Sequence, residues 1–466
     1  MTRDRRLCLV AFMAFTCLVL ITFSITSVEG KKHSAKKSKP KHHKDKSSAP
    51  LPDYGSNYPI FDILSFGAKG DGASDDSKAL EEAWKAACQV PGARLEIPSG
   101  FQFLIMPITL RGPCKPHLLF QIDGALLAPP KVSSWAKLSS SLHRQWINFK
   151  WVQDFTIQGT GSVDGRGSEW WTISDEIYYI QKKFKHIPKQ KPTALRFYSS
   201  HNVTVRDIRI LNSPQFHLKF DSSAGITVNN ITISSPESSP NTDGIHLQNT
   251  RDVEIQHSNI SCGDDCVSIQ TGCSNVHTHH IHCGPGHGIS LGGLGKDKTV
   301  ACVSDIVVEE INLVNTMAGV RIKTWQGGLG YVKNVSFSNI QVSDVKVPIM
   351  IDQYYCDKSV CKNQTGAVAI SGVTYDQIIG TYTDQPLHLA CSNAIPCTDV
   401  ELTNIQLKPS SGYRGLDQAL CFNSYGKSLP PLLPSSIESC LRRDIGGAAK
   451  KEAIPREHLC YSRGRI

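Results

Sequence analysis

Charged and aromatic side chains that could share one reaction recur through the middle of the chain. Asp243, Asp265 and His287 follow one another at two equal intervals. Arg321 follows His287 after a longer interval and begins an Arg-Ile-Lys segment. The full set of candidates is His217, Asp243, Asp264, Asp265, His287, Arg321, Lys323 and Tyr355. Such intervals fit one ladder on one face of a stack of short coils.

Crowded carboxylates of this kind suit general acid–base chemistry. Asp243, Asp264 and Asp265 on neighbouring coils would repel one another, so the pKa of at least one should rise toward neutrality. A carboxylic acid beside ionised partners can protonate a leaving oxygen while another carboxylate activates water, as glycoside hydrolysis requires. Arg321 and Lys323 share one side of a strand because residues i and i+2 point the same way. Two cations there could hold the carboxylates of an acidic sugar.

The elements that would position these residues are short repeated strands. The pattern alternates β-branched residues with Asn, Asp or Gly at the turns, and its first six occurrences follow one another at similar intervals. It reads NVTVRDIRI at 202, GITVNNITI at 225, DVEIQHSNI at 252, NVHTHHIH at 275, DIVVEEINL at 305, NVSFSNIQV at 334 and DVELTNIQL at 399. No helical pattern separates the repeats, which excludes a βαβ fold. We therefore predict an all-β parallel β-helix, in which stacked coils bury a continuous core.

The rest of the chain divides into three predicted regions. Residues 1–30 place three arginines before an apolar run from Leu7 to Ile25, which predicts a signal peptide, with a retained membrane anchor as the alternative. Residues 31–50 predict a disordered basic linker, either a solvated spacer or a tether to an acidic polymer or anionic lipid. Residues 51–466 are predicted to form the β-helix domain. Within it, Ser74, Asp75, Asp76 and Ser77 are candidate N-caps of an amphipathic helix that runs to about Cys88 and is expected to cap the open end of the stack.

Charge and cysteine usage indicate an exported protein. Of the formal charge of +9, residues 1–50 contribute 11 Lys or Arg against 3 Asp or Glu, which leaves 39 against 38 in the remainder. A near-neutral body argues against nucleic-acid binding. Fourteen cysteines follow the targeting segment, and five glycosylation sequons begin at Asn202, Asn230, Asn259, Asn334 and Asn363. We expect a secreted monomer of the extracellular space or cell wall, which would contact a membrane only if the N-terminal segment is retained.

Four motifs, in this order along the chain, resemble those of plant polygalacturonases of glycoside hydrolase family 28. They are NTDGIH at 241–246, GDDC at 263–266, GHGISLG at 286–292 and RIKTW at 321–325, and FGAKGDGASDD at 66–76 resembles the family's opening segment. The resemblance spans about Phe61 to Ile466. It implies a right-handed parallel β-helix that hydrolyses α-1,4-galacturonosyl bonds of pectin with inversion. The implied partner is an acidic polysaccharide, and no cofactor or metal is implied.

The resemblance also implies a role for each matched residue. The catalytic residues would be Asp264 as the general acid, Asp243 and Asp265 as the pair that activates water, and His287 as a support for the acid. The substrate-binding residues would be Arg321, Lys323 and Tyr355, with the adjacent Tyr354 as a competitor for the last position.

The remaining histidines and cysteines are open to two interpretations. His217 could pack beneath the groove or contact a sugar, and we place it with the substrate-binding residues. A strand with four histidines, His277, His279, His280 and His282, is expected to be exposed rather than to bind metal, because structural zinc sites usually have four ligands, often with cysteine pairs at short spacing. We expect Cys273 and Cys283 to be in disulfides, and we predict the pairs Cys266–Cys283 and Cys391–Cys397.

Three other functions are compatible with the residues. The first is a hydrolase of rhamnogalacturonan or of side-chain-bearing pectin, although Arg321 and Lys323 favour acidic sugars on both sides of the cut. The second is a calcium-assisted pectate lyase, which the clustered aspartates disfavour. The third is a wall-binding protein without catalysis, which an intact acidic set also disfavours.

Overall fold

The computed structural model describes residues 59–135, 145–172, 191–357, 360–412, 416–443 and 458–461. The predicted signal peptide 1–30 and the predicted basic linker 31–50 lie outside these ranges. Within them, thirty strands pair in parallel to form two long sheets, which we name the back sheet and the front sheet. Successive turns of the chain visit both sheets, as a β-helix requires. No helix in the described ranges is long and apolar enough to cross a bilayer.

The back sheet carries the repeats that the sequence revealed. Its main track is β1 Ile60–Asp62, β3 Arg94–Ile97, β6 Leu118–Ile122, β9 Gln153–Gln158, β12 His201–Arg206, β15 Ala224–Asn229, β18 Arg251–Ser261, β20 Ser274–Cys283, β22 Val300–Val314, β24 Leu329–Val345, β26 Ala369–Tyr382, β28 Cys397–Pro409 and β30 Ser424–Leu433. A second track is β2 Asp71–Asp75, β4 Gln102–Leu104, β7 Ala125–Leu127, β10 Ser162–Asp164, β13 Arg209–Leu211 and β16 Thr232–Ser234. Both tracks join at β18, which pairs with β15 and β16.

The front sheet has one strand per coil. Its strands are β5 Ile108–Arg111, β8 Gln145–Lys150, β11 Thr193–Tyr198, β14 Leu218–Asp221, β17 Ile245–Gln248, β19 Val267–Ile269, β21 Ile289–Leu294, β23 Ala318–Trp325, β25 Val347–Tyr355, β27 Leu387–Ala390 and β29 Leu420–Phe422. Side chains alternate along each strand, so one set faces the core and the other faces outward. Core-facing Phe149, Phe197 and Phe220 stack from coil to coil with ring centroids 4.9 and 5.1 Å apart.

A left-handed residue begins each repeat of the back sheet and explains why the pattern is visible in the sequence. These residues have φ between 51° and 66°, and they are Asn202, Gly225, Asp252, Asn275, Asp305, Asn334, Gly372 and Asp399. Asn, Asp and Gly tolerate this region far better than other residues. Their side chains also link coils, since Asn275 Nδ2 donates to Asp252 Oδ1 at 2.8 Å. All seven predicted repeats lie in register, and the structure adds an eighth at Gly372.

The predicted capping helix is α1, which runs from Ser77 to Ala87. Its buried face contains Leu80, Ala83 and Trp84, as the spacing predicted. The Trp84 ring packs 5.6 Å from that of Phe149, and its Nε1 donates to the Arg111 carbonyl at 3.1 Å. The helix thus closes the apolar interior at the first coils. The predicted all-β parallel β-helix with an N-terminal capping helix is confirmed.

The other described helices are single turns. The α-helical ones are α2 Val132–Trp135, α3 Ser168–Trp171 and α4 His458–Tyr461, and the 3-10 turns are Ile63–Phe66, Lys296–Lys298 and Ser435–Ile437. Asp76 precedes α1, but its carboxylate accepts hydrogen bonds from the Lys69 and Gly70 amides instead of capping the helix. Asp76 therefore anchors the opening loop and does not act as the N-cap that the sequence predicted.

Six disulfides form among the described residues. They are Cys88–Cys114, Cys266–Cys283, Cys302–Cys460, Cys356–Cys361, Cys391–Cys397 and Cys421–Cys440. The two pairs predicted from sequence are confirmed. The expectation of a disulfide at Cys273 is wrong, because its thiol is free and buried in the core, as is that of Cys262. Burial raises the pKa of Cys273 to about 12, so this thiol behaves as a small apolar core residue.

Candidate active site

Three turns that lead into adjacent front-sheet strands carry the predicted acidic ladder. Ile245, Val267 and Ile289 pair in register on adjacent front-sheet strands. Asp243, Asp265 and His287 each lie two residues before one of these, so they occupy equivalent positions on adjacent coils. The rungs touch through the backbone, because the Gly244 amide donates to the Asp265 carbonyl at 2.9 Å. Gly244 is required here, since a Cβ would lie 2.5 Å from the Cys266 carbonyl oxygen. The structure therefore brings the three predicted rungs together.

Asp265 is a buried carboxylate between two cations. Its Oδ1 accepts from Arg321 at 2.6 Å and from the Ser290 hydroxyl at 2.8 Å, and its Oδ2 accepts from Lys323 Nζ at 3.0 Å. Burial alone would raise its pKa, but Lys323 and Arg321 outweigh that effect and lower the pKa to about 2. Asp265 is consequently ionised across the ordinary pH range.

Asp243 has the opposite electrostatic environment. The residue is 5% exposed, and its Oδ2 lies 2.8 Å from His246 Nδ1. Burial and then the charges of Asp264 and Asp265 raise the pKa of Asp243 well above its usual range. The two aspartates occupy equivalent positions on adjacent coils, yet one is held as an anion and the other favours its proton.

Asp264 faces the more open part of the site with His287 beside it. Its Oδ1 lies 2.8 Å from His287 Nδ1 and accepts from the Asp265 amide at 2.9 Å. The Asp264 side chain is 18% exposed and that of His287 is 33% exposed, so both can reach a bound molecule. One oxygen of Asp264, one of Asp265 and a ring nitrogen of His287 lie within 4.8 Å of one another.

These side chains surround a cavity of about 280 Å³ that is open to solvent. Seven of the eight predicted site residues line it, namely Asp243, Asp264, Asp265, His287, Arg321, Lys323 and Tyr355. Tyr355 lies beside Trp325 on the adjacent strand, and Lys323 Nζ is 5.4 Å from the centre of its ring. The competing Tyr354 does not line the cavity, since its hydroxyl lies 3.4 Å from the Cys391 carbonyl. A carboxylate cluster opposite two cations suits acid–base cleavage of an acidic substrate.

The sequence model of the protein family glycosyl hydrolases family 28 matches residues 88–423, a range that includes every residue lining the cavity. The chain belongs to glycosyl hydrolases family 28.

Two curated relatives of this family 28 chain are plant proteins. A probable polygalacturonase of Arabidopsis thaliana is 39% identical over 393 residues, which cover 83% of this chain and 86% of that protein. A polygalacturonase of Persea americana is 42% identical over 353 residues, which cover 75% of this chain and 74% of that protein. Among solved structures, a polygalacturonase from Erwinia carotovora ssp. carotovora matches with a TM-score of 0.63 at 24% identity, over 81% of this chain and 99% of that one. The last comparison shows the fold alone.

His217 is the predicted site residue that the structure places elsewhere. Its side chain is fully buried, with Nδ1 3.0 Å from the Asp243 carbonyl and Nε2 accepting from the Ser213 amide at 3.3 Å. Burial lowers its pKa to about 4, so the ring is neutral at ordinary pH. The assignment to the substrate-binding set is therefore corrected: His217 supports the Asp243 turn from beneath the groove.

Two site residues received no role from the sequence. His246 contacts Asp243 and stacks on Phe216 at a ring distance of 4.0 Å, and Ser290 bridges Asp265 and Arg321. Both lie on the outward row that contains Arg321, in the register His246, Ser268, Ser290, Arg321. His246 and Ser290 stand inside the motifs NTDGIH and GHGISLG. The signal in the sequence was that His246, Ser268 and Ser290 recur at the same interval as Asp243, Asp265 and His287. Only the strand register shows that this spacing brings them into contact with the aspartates.

Two groups of described residues bring potential metal ligands together. One is Asp264, Asp265 and His287 in the cavity, and the other is Glu254, His277 and His279 on the outer surface. In the first group the Asp265 oxygens already accept from Arg321 and Lys323, which places two positive charges where a cation would bind. In the second group His277 Nε2 lies 2.8 Å from Glu309 Oε1. The predicted exposure of the strand holds for His280 and His282, while His277 and His279 are partly buried.

Proposed function

We propose that this family 28 enzyme is a polygalacturonase, which hydrolyses α-1,4-galacturonosyl bonds in the backbone of pectin. The observation that carries this proposal is the convergence of three aspartates with Arg321 and Lys323 around one open cavity. The aspartates supply acid–base chemistry and the cations select a substrate that bears carboxylates. Polygalacturonase relatives of similar length support the same substrate.

Each aspartate has a distinct part in the proposed reaction. Asp264 donates a proton to the glycosidic oxygen as the bond to the anomeric carbon breaks, and His287 holds its carboxyl group in place. A water molecule attacks the anomeric carbon from the opposite face, with inversion, and gives its proton to the Asp243–Asp265 pair. Asp265 stays ionised and orients the water. Asp243 accepts the proton when the pH is above its raised pKa, and that raised pKa makes its carboxylate the stronger base of the two.

Arg321, Lys323 and Tyr355 bind the acidic sugar beside the scissile bond. Both cations line the cavity, although each also holds Asp265. A sugar carboxylate would add a second anion to this cluster and share its positive charge. The ring of Tyr355 forms the adjacent wall and limits the directions in which the sugar can lie.

The protein acts as a secreted, glycosylated monomer at the cell wall, with 1–30 as a signal peptide and 31–50 as a basic linker. Six disulfides suit an oxidising compartment. Each sequon asparagine is exposed, namely Asn202, Asn230, Asn259, Asn334 and Asn363. Asn202, Asn259 and Asn334 lie on strands of the back sheet, so glycans attached there would leave the cavity open.

The test uses purified chain from Leu51 onward on de-esterified polygalacturonate, with reducing ends and the ultraviolet absorbance of unsaturated product followed together. We expect reducing ends without unsaturation, and a loss of roughly 10²- to 10⁴-fold in kcat for Asp264→Asn. Asp297→Asn is the matched control, because Asp297 is exposed and does not line the cavity. Unsaturated product would establish a lyase instead. Absence of product from the unaltered chain would refute the proposal and direct the search to rhamnogalacturonan.

A further inference from the structure

A line of basic side chains continues the outward face of the front sheet on the N-terminal side of the cavity. We name Arg111, Lys150, Arg196 and Lys219 the basic track. Arg111 pairs in register with Lys150, and Arg196 pairs with Lys219. Lys219 in turn pairs with His246, which contacts Asp243. Between these pairs the register shifts by two residues, since Arg196 is in register with Asn148 and Lys150 with Tyr198. The track therefore has two rows, Lys219 and Arg196 next to the cavity and Lys150 and Arg111 farther away, and the Tyr198 ring joins them.

The basic track carries more positive charge than its surroundings neutralise. Asp221 is the one carboxylate on the outward faces of these four strands as described, and it is 2.5 Å from Arg196. Lys219 Nζ donates to the Gln248 amide oxygen at 3.0 Å, which leaves its charge intact. Neither Lys150 nor Arg111 forms an ion pair with a carboxylate of the described residues. Three of the four cations are thus available to an outside anion.

Burial and mutual repulsion both disfavour the charged forms of the two lysines of the track. Burial, followed by Arg111 and Arg196, lowers the pKa of Lys150. Burial also lowers the pKa of Lys219, where Asp221 opposes the shift and Arg196 adds to it. Like charges held this close raise the free energy of the unliganded surface and attract an extended anion.

Aromatic rings fix these cations without neutralising them. Tyr198 lies under both Arg196 and Lys150, at 4.7 and 5.7 Å from its ring centre. Trp151, which is 47% exposed, lies 5.6 Å from the Arg111 guanidinium at the far end. Cation–π contacts hold a side chain in place and leave its full charge for a ligand.

The front sheet is different on the C-terminal side of the cavity. Beyond Lys323, strands β25, β27 and β29 as described contain no Lys or Arg. Their outward positions include Met350, Asp352 and His388, and the last strand exposes Leu420 and Phe422. Positive charge is therefore distributed over one side of the cavity and stops at Lys323 on the other.

We propose that the basic track binds the carboxylates of a run of unesterified galacturonate units on the N-terminal side of the cleavage point, whereas units beyond Lys323 are bound without charge recognition. The coils lie about 4.8 Å apart, which is close to the advance of one sugar in a galacturonan chain. The distance along the stack from the coil of Asp265 to the coil of Arg111 is five coil spacings, or about 24 Å. The enzyme then holds several units on one side of the cut, as internal cleavage of a long chain requires. This inference rests on the proposed function for its substrate class.

Binding measurements test the basic track separately from catalysis. The full chain with Asp264→Asn, which prevents turnover, is titrated by fluorescence anisotropy with labelled unesterified octagalacturonide, its fully methyl-esterified form and trigalacturonide. The test variant adds Arg111→Gln and Lys150→Gln, which keep much of each side-chain stem and remove its charge. The matched control adds Arg251→Gln and Lys78→Gln, which are exposed elsewhere. Circular dichroism establishes that all three proteins have the same fold.

We expect the track variant to bind the unesterified octamer about tenfold more weakly than the control, since two partly exposed ion pairs are lost. Its affinity for the trimer and for the esterified octamer should change less than about twofold, and added salt should abolish the difference. Equal affinity of the two variants for the unesterified octamer, or equal losses for both octamers, would overturn the proposal. If the unaltered protein binds the octamer through the track but makes no reducing ends, the proposed function fails and the track stands.

Discussion

At the scale of single residues, the site has two carboxylates in equivalent positions whose pKa values are shifted in opposite directions. Asp243 and Asp265 lie at the same position of adjacent coils, and both are almost fully buried. Arg321 and Lys323 lower the pKa of Asp265, whereas burial and its acidic neighbours raise that of Asp243. Lys323 acts on both, because its charge also lowers the pKa of Asp243.

Replacement of Lys323 should therefore change the pH dependence of the enzyme. Lys323→Met removes a positive charge that lowers the pKa of Asp243 and of Asp265, so both pKa values rise. The pair must be ionised to accept a proton from water, so the acidic limb of kcat/KM should move to higher pH. The measurement is a pH profile on polygalacturonate, beside Lys346→Met, an exposed lysine near the neighbouring cavity. A lower rate with an unmoved acidic limb would mean that Lys323 binds substrate and does not tune the aspartates.

The spacing of residues in the sequence predicts which of them stack on adjacent coils, but not which side chains form ion pairs. Asp243, Asp265 and His287 recur at one interval, so their stacking was predictable from the coil period. The ion pairs of Asp265 were not, because they depend on Arg321 two coils away reaching back to it. His217 precedes Asp243 by a similar interval, but its ring is buried and hydrogen-bonded to the backbone of Ser213 and Asp243. Spacing alone does not distinguish the floor of a groove from its surface.

At the scale of the coil, left-handed residues determine both the fold and its visibility. Asn, Asp and Gly at the start of each back-sheet strand made seven repeats detectable in the sequence. The eighth, at Gly372, follows Asn334 after an unusually long interval, because the loop closed by Cys356–Cys361 intervenes. An insertion of this kind breaks the period without disturbing the stack, since loops leave the coil at its surface.

Asn275 provides a direct test of this turn. Its φ is 53°, its amide donates to Asp252 and it belongs to no glycosylation sequon. Asn275→Val should lower the free energy of unfolding by about 1–3 kcal/mol, because a β-branched residue is strained there. Asn275→Gly keeps the backbone conformation and should cost less than Asn275→Val. Thermal unfolding followed by circular dichroism would compare the two. Equal destabilisation by both variants would show that the side-chain hydrogen bond matters more than the backbone conformation.

At the scale of the whole molecule, charge is concentrated in two places. The 466-residue chain is nearly neutral apart from residues 1–50, which hold 11 of its 50 Lys and Arg. Within the described body, the basic track places unpaired cations on one side of the cavity. A near-neutral protein can in this way hold a polyanion firmly at one surface and remain free of nonspecific attraction elsewhere.

The segment 31–50 should add a second, looser attraction to the same polymer. It contains eight Lys and one Asp, so a chain that begins at Lys31 should be retained more strongly on immobilised de-esterified pectin than one that begins at Leu51. The difference should disappear as salt screens the charges, and kcat/KM on trigalacturonide should be the same for both chains. A third chain with the eight lysines replaced by glutamine separates charge from length. Equal retention of all three chains would identify the segment as a spacer, because only an electrostatic tether loses binding when its lysines are neutralised.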